Sequence, residues 1–178
     1  MNNFFPSSEY KMPSTNNYMK FVEGPNPFRV LSHAIVGYEY FTFENKPVRQ
    51  KENFDSIPSD IKKDGSINHF WAFAVWNYNE QRIQVLELTQ KTVMNPMQAY
   101  IKNPKWGDPK KYDFVVNRKG SGMETDYSVI TEPHSDLDVN ILDKAKKMKL
   151  NLEAMFVGED PFAKGEDKLS DGSDYPTF

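Results

Sequence analysis

Asn68-His69-Phe70-Trp71-Ala72-Phe73-Ala74-Val75-Trp76-Asn77 is the stretch that decides the fold. It is apolar from Phe70 through Trp76 and polar at both ends. A run this short, rich in aromatic rings and bounded by polar residues, reads as a buried strand. Successive side chains of a strand point to opposite faces. Trp71, Phe73 and Val75 therefore share one face, and Phe70, Ala72, Ala74 and Trp76 the other. If only one face lines a core, one of the two tryptophans is buried. Trp76 adjoins the polar Tyr78-Asn79-Glu80-Gln81 turn and is the one placed for exposure.

Downstream, Arg82-Ile83-Gln84-Val85-Leu86-Glu87-Leu88-Thr89 begins with clean alternation and reads as the hairpin partner of that strand. Between residues 90 and 103 the period of two is lost. Val93, Met97, Ala99, Tyr100 and Ile101 follow helical spacing, broken or restarted near Pro96. After the rigid Pro104–Pro109 turn, residues 112–117 and 125–130 read as strands on either side of the basic loop Arg118-Lys119-Gly120-Ser121-Gly122. Upstream, Gly24-Pro25-Asn26-Pro27 is a breaker, and residues 28–42 read as one long strand bent at Gly37. Residues 44–67, with Pro47 and Pro58, read as a long loop.

The order is strand, strand, strand, helix, strand, strand. A helix between the third and fourth of five strands is the order of the OB-fold, a Greek-key barrel that binds oligonucleotides and oligosaccharides. The expected fold is therefore mainly β: a five-stranded OB barrel over residues 18–133. A helical extension over 134–157 is expected to pack on it, with Ile141, Leu142, Ala145 and Met148 on the apolar side of a helix at 138–149 and Asn151 capping a second short piece. Residues 1–17, rich in Asn, Ser and Pro, are expected to be a flexible arm, and 158–178 a disordered acidic tail.

There are no cysteines, which removes disulfides and every thiolate nucleophile or cysteine metal site. No stretch is long and apolar enough for a membrane helix, and the first residues lack a secretory signal pattern. Aromatic residues make up 14% of a chain whose mean hydropathy is −0.71, more rings than so polar a chain needs for its core. Spare rings suggest a stacking surface. The net charge of −3 belongs to the tail: residues 158–178 carry six acidic side chains and two lysines, leaving the rest of the chain slightly positive.

Residues 20–131 resemble a family of bacteriophage single-stranded DNA-binding proteins. The resemblance is carried by Phe28-Arg29-Val30-Leu31 after Glu23-Gly24, Lys46-Pro47-Val48-Arg49, Phe70-Trp71-Ala72 with Val75-Trp76-Asn77, and Gln84-Val85-Leu86-Glu87-Leu88-Thr89-Gln90. Trp106-Gly107-Asp108-Pro109, Tyr112-Asp113, Arg118-Lys119-Gly120 and Thr125-Asp126-Tyr127-Ser128 close the series. The resemblance implies a non-enzymatic OB domain that binds single-stranded DNA during phage replication, recombination or repair, in the cytoplasm of the infected host. Some relatives hold zinc, but the cysteines for it are missing here, so no metal and no cofactor are expected. The end, Asp171-Gly172-Ser173-Asp174-Tyr175-Pro176-Thr177-Phe178, resembles the acidic tips of such proteins. Asp171, Asp174, Tyr175 and Phe178 are then a docking tail for replication proteins such as a polymerase, helicase or primase, and a competitor for the DNA groove. A homo-oligomer is left open.

Binding of a single strand needs cations along a groove and flat rings for bases. The ring candidates are Trp71, Trp76, Tyr78, Tyr38, Tyr40 and Trp106; the cation candidates are Lys46, Arg49, Lys51, Arg82, Lys105, Lys110, Lys111, Arg118 and Lys119. Lys110-Lys111 and Arg118-Lys119 stand out because they flank a strand that leads into the ligand-binding loop of an OB domain. The glycine loop at 118–122 lacks the spacing of a phosphate loop. His33, His69 and His134 have no ligand spacing. Asp108, Asp113, Glu124 and Asp126 are better explained by turns and strand ends than by nuclease chemistry. The competing reading is an OB module that binds a replisome protein and has little affinity for DNA.

Overall fold

The computed structural model describes residues 16–162. Seven strands form one antiparallel sheet: β1 (Gly24–Val30), β2 (Ile35–Phe41), β3 (Pro47–Gln50), β4 (Asn68–Asn77), β5 (Arg82–Leu88), β6 (Asp113–Lys119) and β7 (Asp126–Thr131). Helix α1 (Lys91–Lys102) lies between β5 and β6, and α2 (Val139–Lys147) follows β7. Short 3-10 turns cover Pro109–Lys111, Gly122–Glu124 and Leu152–Val157.

The apolar stretch is the central strand β4. It pairs with β5 along one edge, from Trp71 opposite Leu88 to Asn77 opposite Arg82. The other edge is shared: Phe28–Val30 of β1 stand opposite Asn77–Val75, and Ile35–Glu39 of β2 opposite Ala72–Asn68. The expected single strand is thus interrupted at Leu31–Ala34, not bent at Gly37. Four residues there stand opposite two of β4, Phe73 and Ala74. The Ser32 hydroxyl replaces a ladder partner by accepting from the Ala74 N–H at 2.9 Å, which holds the bulge closed. Gly37 has a different role. A Cβ there would lie 2.5 Å from the Gln50 carbonyl oxygen and 3.0 Å from a Phe156 ring carbon, so β3 and the C-terminal segment approach a bare backbone.

Two other expectations change. The supposed breaker Gly24–Pro27 is the start of β1, paired with β6 from Gly24 opposite Arg118 onward. β4 ends opposite Phe28, so one side of β1 has no neighbouring strand at Pro25 and Pro27, where N–H groups are missing. The 44–67 loop contains β3, which pairs with β2 and starts on a proline, as an edge strand tolerates. Helix α1 runs unbroken through Pro96. Asn151 precedes the last 3-10 turn without a side-chain cap, whereas Asp138 caps α2 by accepting from the Asn140 N–H.

The sheet is open. Among the described residues β5 and β7 share no ladder. The chain before β1 lies on the β5 edge instead: Met19 N–H donates to the Val85 carbonyl and Val85 N–H to the Asn17 carbonyl, both at 2.9 Å. Helix α1 packs against β7.

Both faces of β4 are buried, which overturns the choice between the two tryptophans. Phe73, Val75, Leu86, Leu88, Phe114 and the α1 residues Val93, Met94 and Met97 form an inner core. Phe70, Ala72, Ala74, Trp76, Ile83 and Val85 form an outer one, covered by Ala145, Leu150 and Met155 of the C-terminal segment. Trp76 is only 6% exposed, and Trp71 is the half-buried one. The C-terminal segment makes a second core out of the face that would otherwise meet solvent.

Candidate functional site

Two clefts lie in succession along the inner face of β4. The first, of about 550 Å³, is walled by Tyr38 of β2, Asn68 and His69 of β4, the segment Asn53–Ile57, and Lys91 and Met94 of α1. The second, of about 280 Å³, is walled by the Leu31–Ala34 bulge through Ser32, His33 and Ala34, by Trp71 and Phe73 of β4, by Met97 and Ile101 of α1, and by Asp108–Lys110. The geometry follows from two periodicities. His69, Trp71 and Phe73 alternate onto one face of β4, and the ladder places Tyr38 opposite His69 and Val36 opposite Trp71. Lys91, Met94, Met97 and Ile101 recur at helical spacing and form one stripe of α1. The same strand face and helix stripe thus line both clefts, which share no wall residue and together make up the candidate groove.

The groove is ringed with aromatic surface. Tyr38 and His69 have centroids 5.1 Å apart, and Phe54 and Trp71 are half-buried at its walls. His33 is exposed at the far end. Lys91 and Lys110 supply positive charge, and the exposed Lys102, Lys105 and Lys111 sit on the adjoining elements. A buried arginine fixes the Lys110 turn. Arg29 Nε donates to Asp113 Oδ1 at 2.6 Å, and Arg29 Nη1 donates to the carbonyls of Lys110 at 3.2 Å and Ser135 at 2.9 Å. Asp108 closes the same turn by accepting from the Lys110 N–H at 3.0 Å.

Of the ring and cation candidates from the sequence, Tyr38 lines the first cleft and Trp71 and Lys110 the second, with Lys111 beside it. The others do not. Trp76 is under the C-terminal segment. Tyr40 is buried, its hydroxyl donating to Asp60 Oδ1 at 2.8 Å and its ring meeting Phe54 edge-on. Tyr78 donates to Asp113 Oδ1 at 2.9 Å, and burial together with that bond pushes its phenol up to about 12. Trp106 packs among Tyr100, Tyr112 and His134. Arg49 lies on the outer face, where its guanidinium bridges Glu39 at 3.0 Å and Glu87 at 2.7 Å. Lys46 pairs with Glu44 at the surface and Lys51 with Glu153. Arg82 donates to Asn17 Oδ1. Arg118 is inside β6 rather than in a loop and donates to the Phe21 carbonyl; with Lys119 it stands at the opposite end of β6 from Lys110. Asp171, Asp174, Tyr175 and Phe178 lie outside the described residues.

His69, His33, Phe54, Lys91 and Asp108 were missed as members of the groove. Alternation alone puts His69 on the face of Trp71, so that signal was present in the sequence. His33 and Phe54 enter through a bulge and a loop whose geometry no periodicity announces.

Lys46, Arg49 and Glu87 border a third cleft of mixed charge, about 820 Å³, together with Tyr18, Lys20, Glu159 and Asp160. Glu39, buried beneath Arg49, is raised to about 7, by burial first and then by the neighbouring Glu87, while Arg49 opposes the shift. Among the described residues no three His, Asp or Glu side chains are grouped to hold a metal ion, and no helix is long and apolar enough to cross a membrane. Compared with known proteins, the chain matches no family model, no curated protein and no solved structure.

Proposed function

We propose that the protein is an OB-type single-stranded DNA-binding protein of the bacteriophage kind, and that the groove between β4 and α1 is its binding track. The OB reading takes β1 and β2 as one interrupted first strand. That strand then pairs with β4 and β6, β4 with β5, and β6 with β7, while α1 stands between the third and fourth strands. Read so, the pairing is compatible with the OB order, with the edge between β5 and β7 left unsealed. The observation that carries the function is that flat rings (Tyr38, His69, Trp71) and lysines without an ion pair among the described residues (Lys91, Lys110) line the two clefts between β4 and α1. Rings stack on any base and lysines track phosphates, so such a groove binds single strands with little regard for sequence and performs no chemistry on them.

The protein would then coat and protect single strands during phage DNA replication, recombination or repair in the host cytoplasm. The acidic tail would compete weakly for the groove and present Phe178 to a replication protein. The test is a tryptophan fluorescence titration with oligo-dT at two salt concentrations. Quenching that weakens steeply with salt is the expected result, and Trp71→Phe should remove most of it, because Trp76 is buried and Trp106 is packed. Lys110→Ala should flatten the logarithmic salt dependence by about 0.7, one phosphate contact. Absence of quenching and of binding at low salt would refute the reading in favour of a protein-binding module.

A further inference from the structure

The second cleft holds a carboxylate, which a track for a polyanion has reason to avoid. We propose that this cleft is a base-selective subsite within the otherwise sequence-tolerant track, and that it takes a nucleobase whose edge carries an amine beside an unprotonated ring nitrogen, that is, cytosine or adenine. The inference rests on the single-strand reading above.

The walls suit a base. Trp71 presents ring surface from β4, the buried Phe73 and Met97 form the floor, and Ile101 closes the opposite side from α1. This apolar slot of about 280 Å³ is smaller than the neighbouring cleft and offers few polar groups. Among them, Asp108 and Lys110 flank Pro109 on one rigid turn. Neither forms a salt bridge among the described residues, and Lys110 holds its place through the Arg29 bond to its carbonyl. Asp108 uses one oxygen to cap the turn, which leaves acceptor capacity on the carboxylate. An anionic acceptor and a cationic donor on the same wall of the cleft, not neutralised by each other, match an edge that offers an amine beside a bare ring nitrogen. Thymine presents the reverse order, a carbonyl oxygen next to an N–H, and sets both pairs in conflict. A carboxylate accepting from an amine of cytosine is an established mode of base discrimination in nucleic-acid recognition.

Thymine and 5-methylcytosine differ only along that edge, so they isolate the effect from stacking and from size. Binding of oligo-dT and of an equally long 5-methyl-dC oligomer to the full chain is measured by anisotropy of a labelled strand, at slightly alkaline pH and low salt. The 5-methyl-dC oligomer is expected to bind about tenfold tighter, the worth of one charge-assisted hydrogen bond made against one forbidden. Asp108→Asn keeps the cap but offers an amide that accepts and donates, so the ratio should fall towards one while both affinities rise. Asp108→Ser, a second capping side chain, should do the same and guards against a folding defect in the first variant. Equal affinities in the wild type, or a ratio that Asp108→Asn leaves unchanged, would overturn the subsite and leave the track standing. Failure of both oligomers to bind would overturn the track itself.

Discussion

Glu39 is buried among partners that disagree about its charge. Arg49 favours the carboxylate, whereas Glu87 and the loss of water favour the acid, and the acid side prevails, with a midpoint raised to about 7. A carboxyl whose titration is raised in the folded state favours folding while it holds its proton. That contribution is complete below the unfolded value near 4.5 and is lost as the pH rises through about 7. Glu39→Gln mimics the protonated form at every pH. Its stability relative to the wild type should therefore climb between pH 5 and pH 8, by up to about 3 kcal/mol, in urea melts at the two values. A constant difference would show that Glu39 is ionised throughout. Arg49 explains why a lone basic residue is poor evidence of a nucleic-acid site. Its sequence neighbourhood, Pro47-Val48-Arg49-Gln50, gives no hint of the two glutamates that β2 and β5 bring to it.

At the scale of elements, Gly37 is the clearest case in which packing rather than bending requires a glycine. Gly37→Ala sets a methyl against the Gln50 carbonyl and the Phe156 ring, and should cost about 1–3 kcal/mol in a thermal or urea melt. A neutral substitution would mean that β3 and the C-terminal segment are free to give way. Most elements were legible. Unbroken apolar character marked β4, the 78–81 turn and alternation marked β5, and spacing marked α1 and α2. The misses have physical causes. β3 is four residues long and too short to show a period. The bulge at Leu31–Ala34 depends on the Ser32 hydroxyl bonding a strand distant in sequence. Trp76 was misjudged because burial of the outer face is decided by Ala145, Leu150 and Met155, roughly seventy residues further along. The groove suffered in the same way: its strand face could be read from alternation, but the partner that faces it could not.

For the whole molecule, the covering of the outer face sets where binding can occur. The C-terminal segment occupies one face of the sheet through to Pro161, which is buried, and Phe162, which packs on the outer core. On the single-strand reading, DNA would be left with the clefts of the inner face. The acidic tail should therefore be removed after Phe162, not at residue 158, because a cut at 158 strips part of a core. Deleting residues 163–178 should leave the melting temperature unchanged and tighten oligo-dT binding several-fold at low salt, with the gain fading as salt rises. Unchanged affinity at low salt would end the competitor role of the tail. The most direct test of the groove is photo-cross-linking of the full chain to a 5-bromouracil oligonucleotide, with the attached peptides mapped by mass spectrometry. Binding between β4 and α1 predicts adducts at Tyr38, His69 or Trp71 and none at Trp76. Adducts confined to the 118–125 loop or to the C-terminal segment would contradict it.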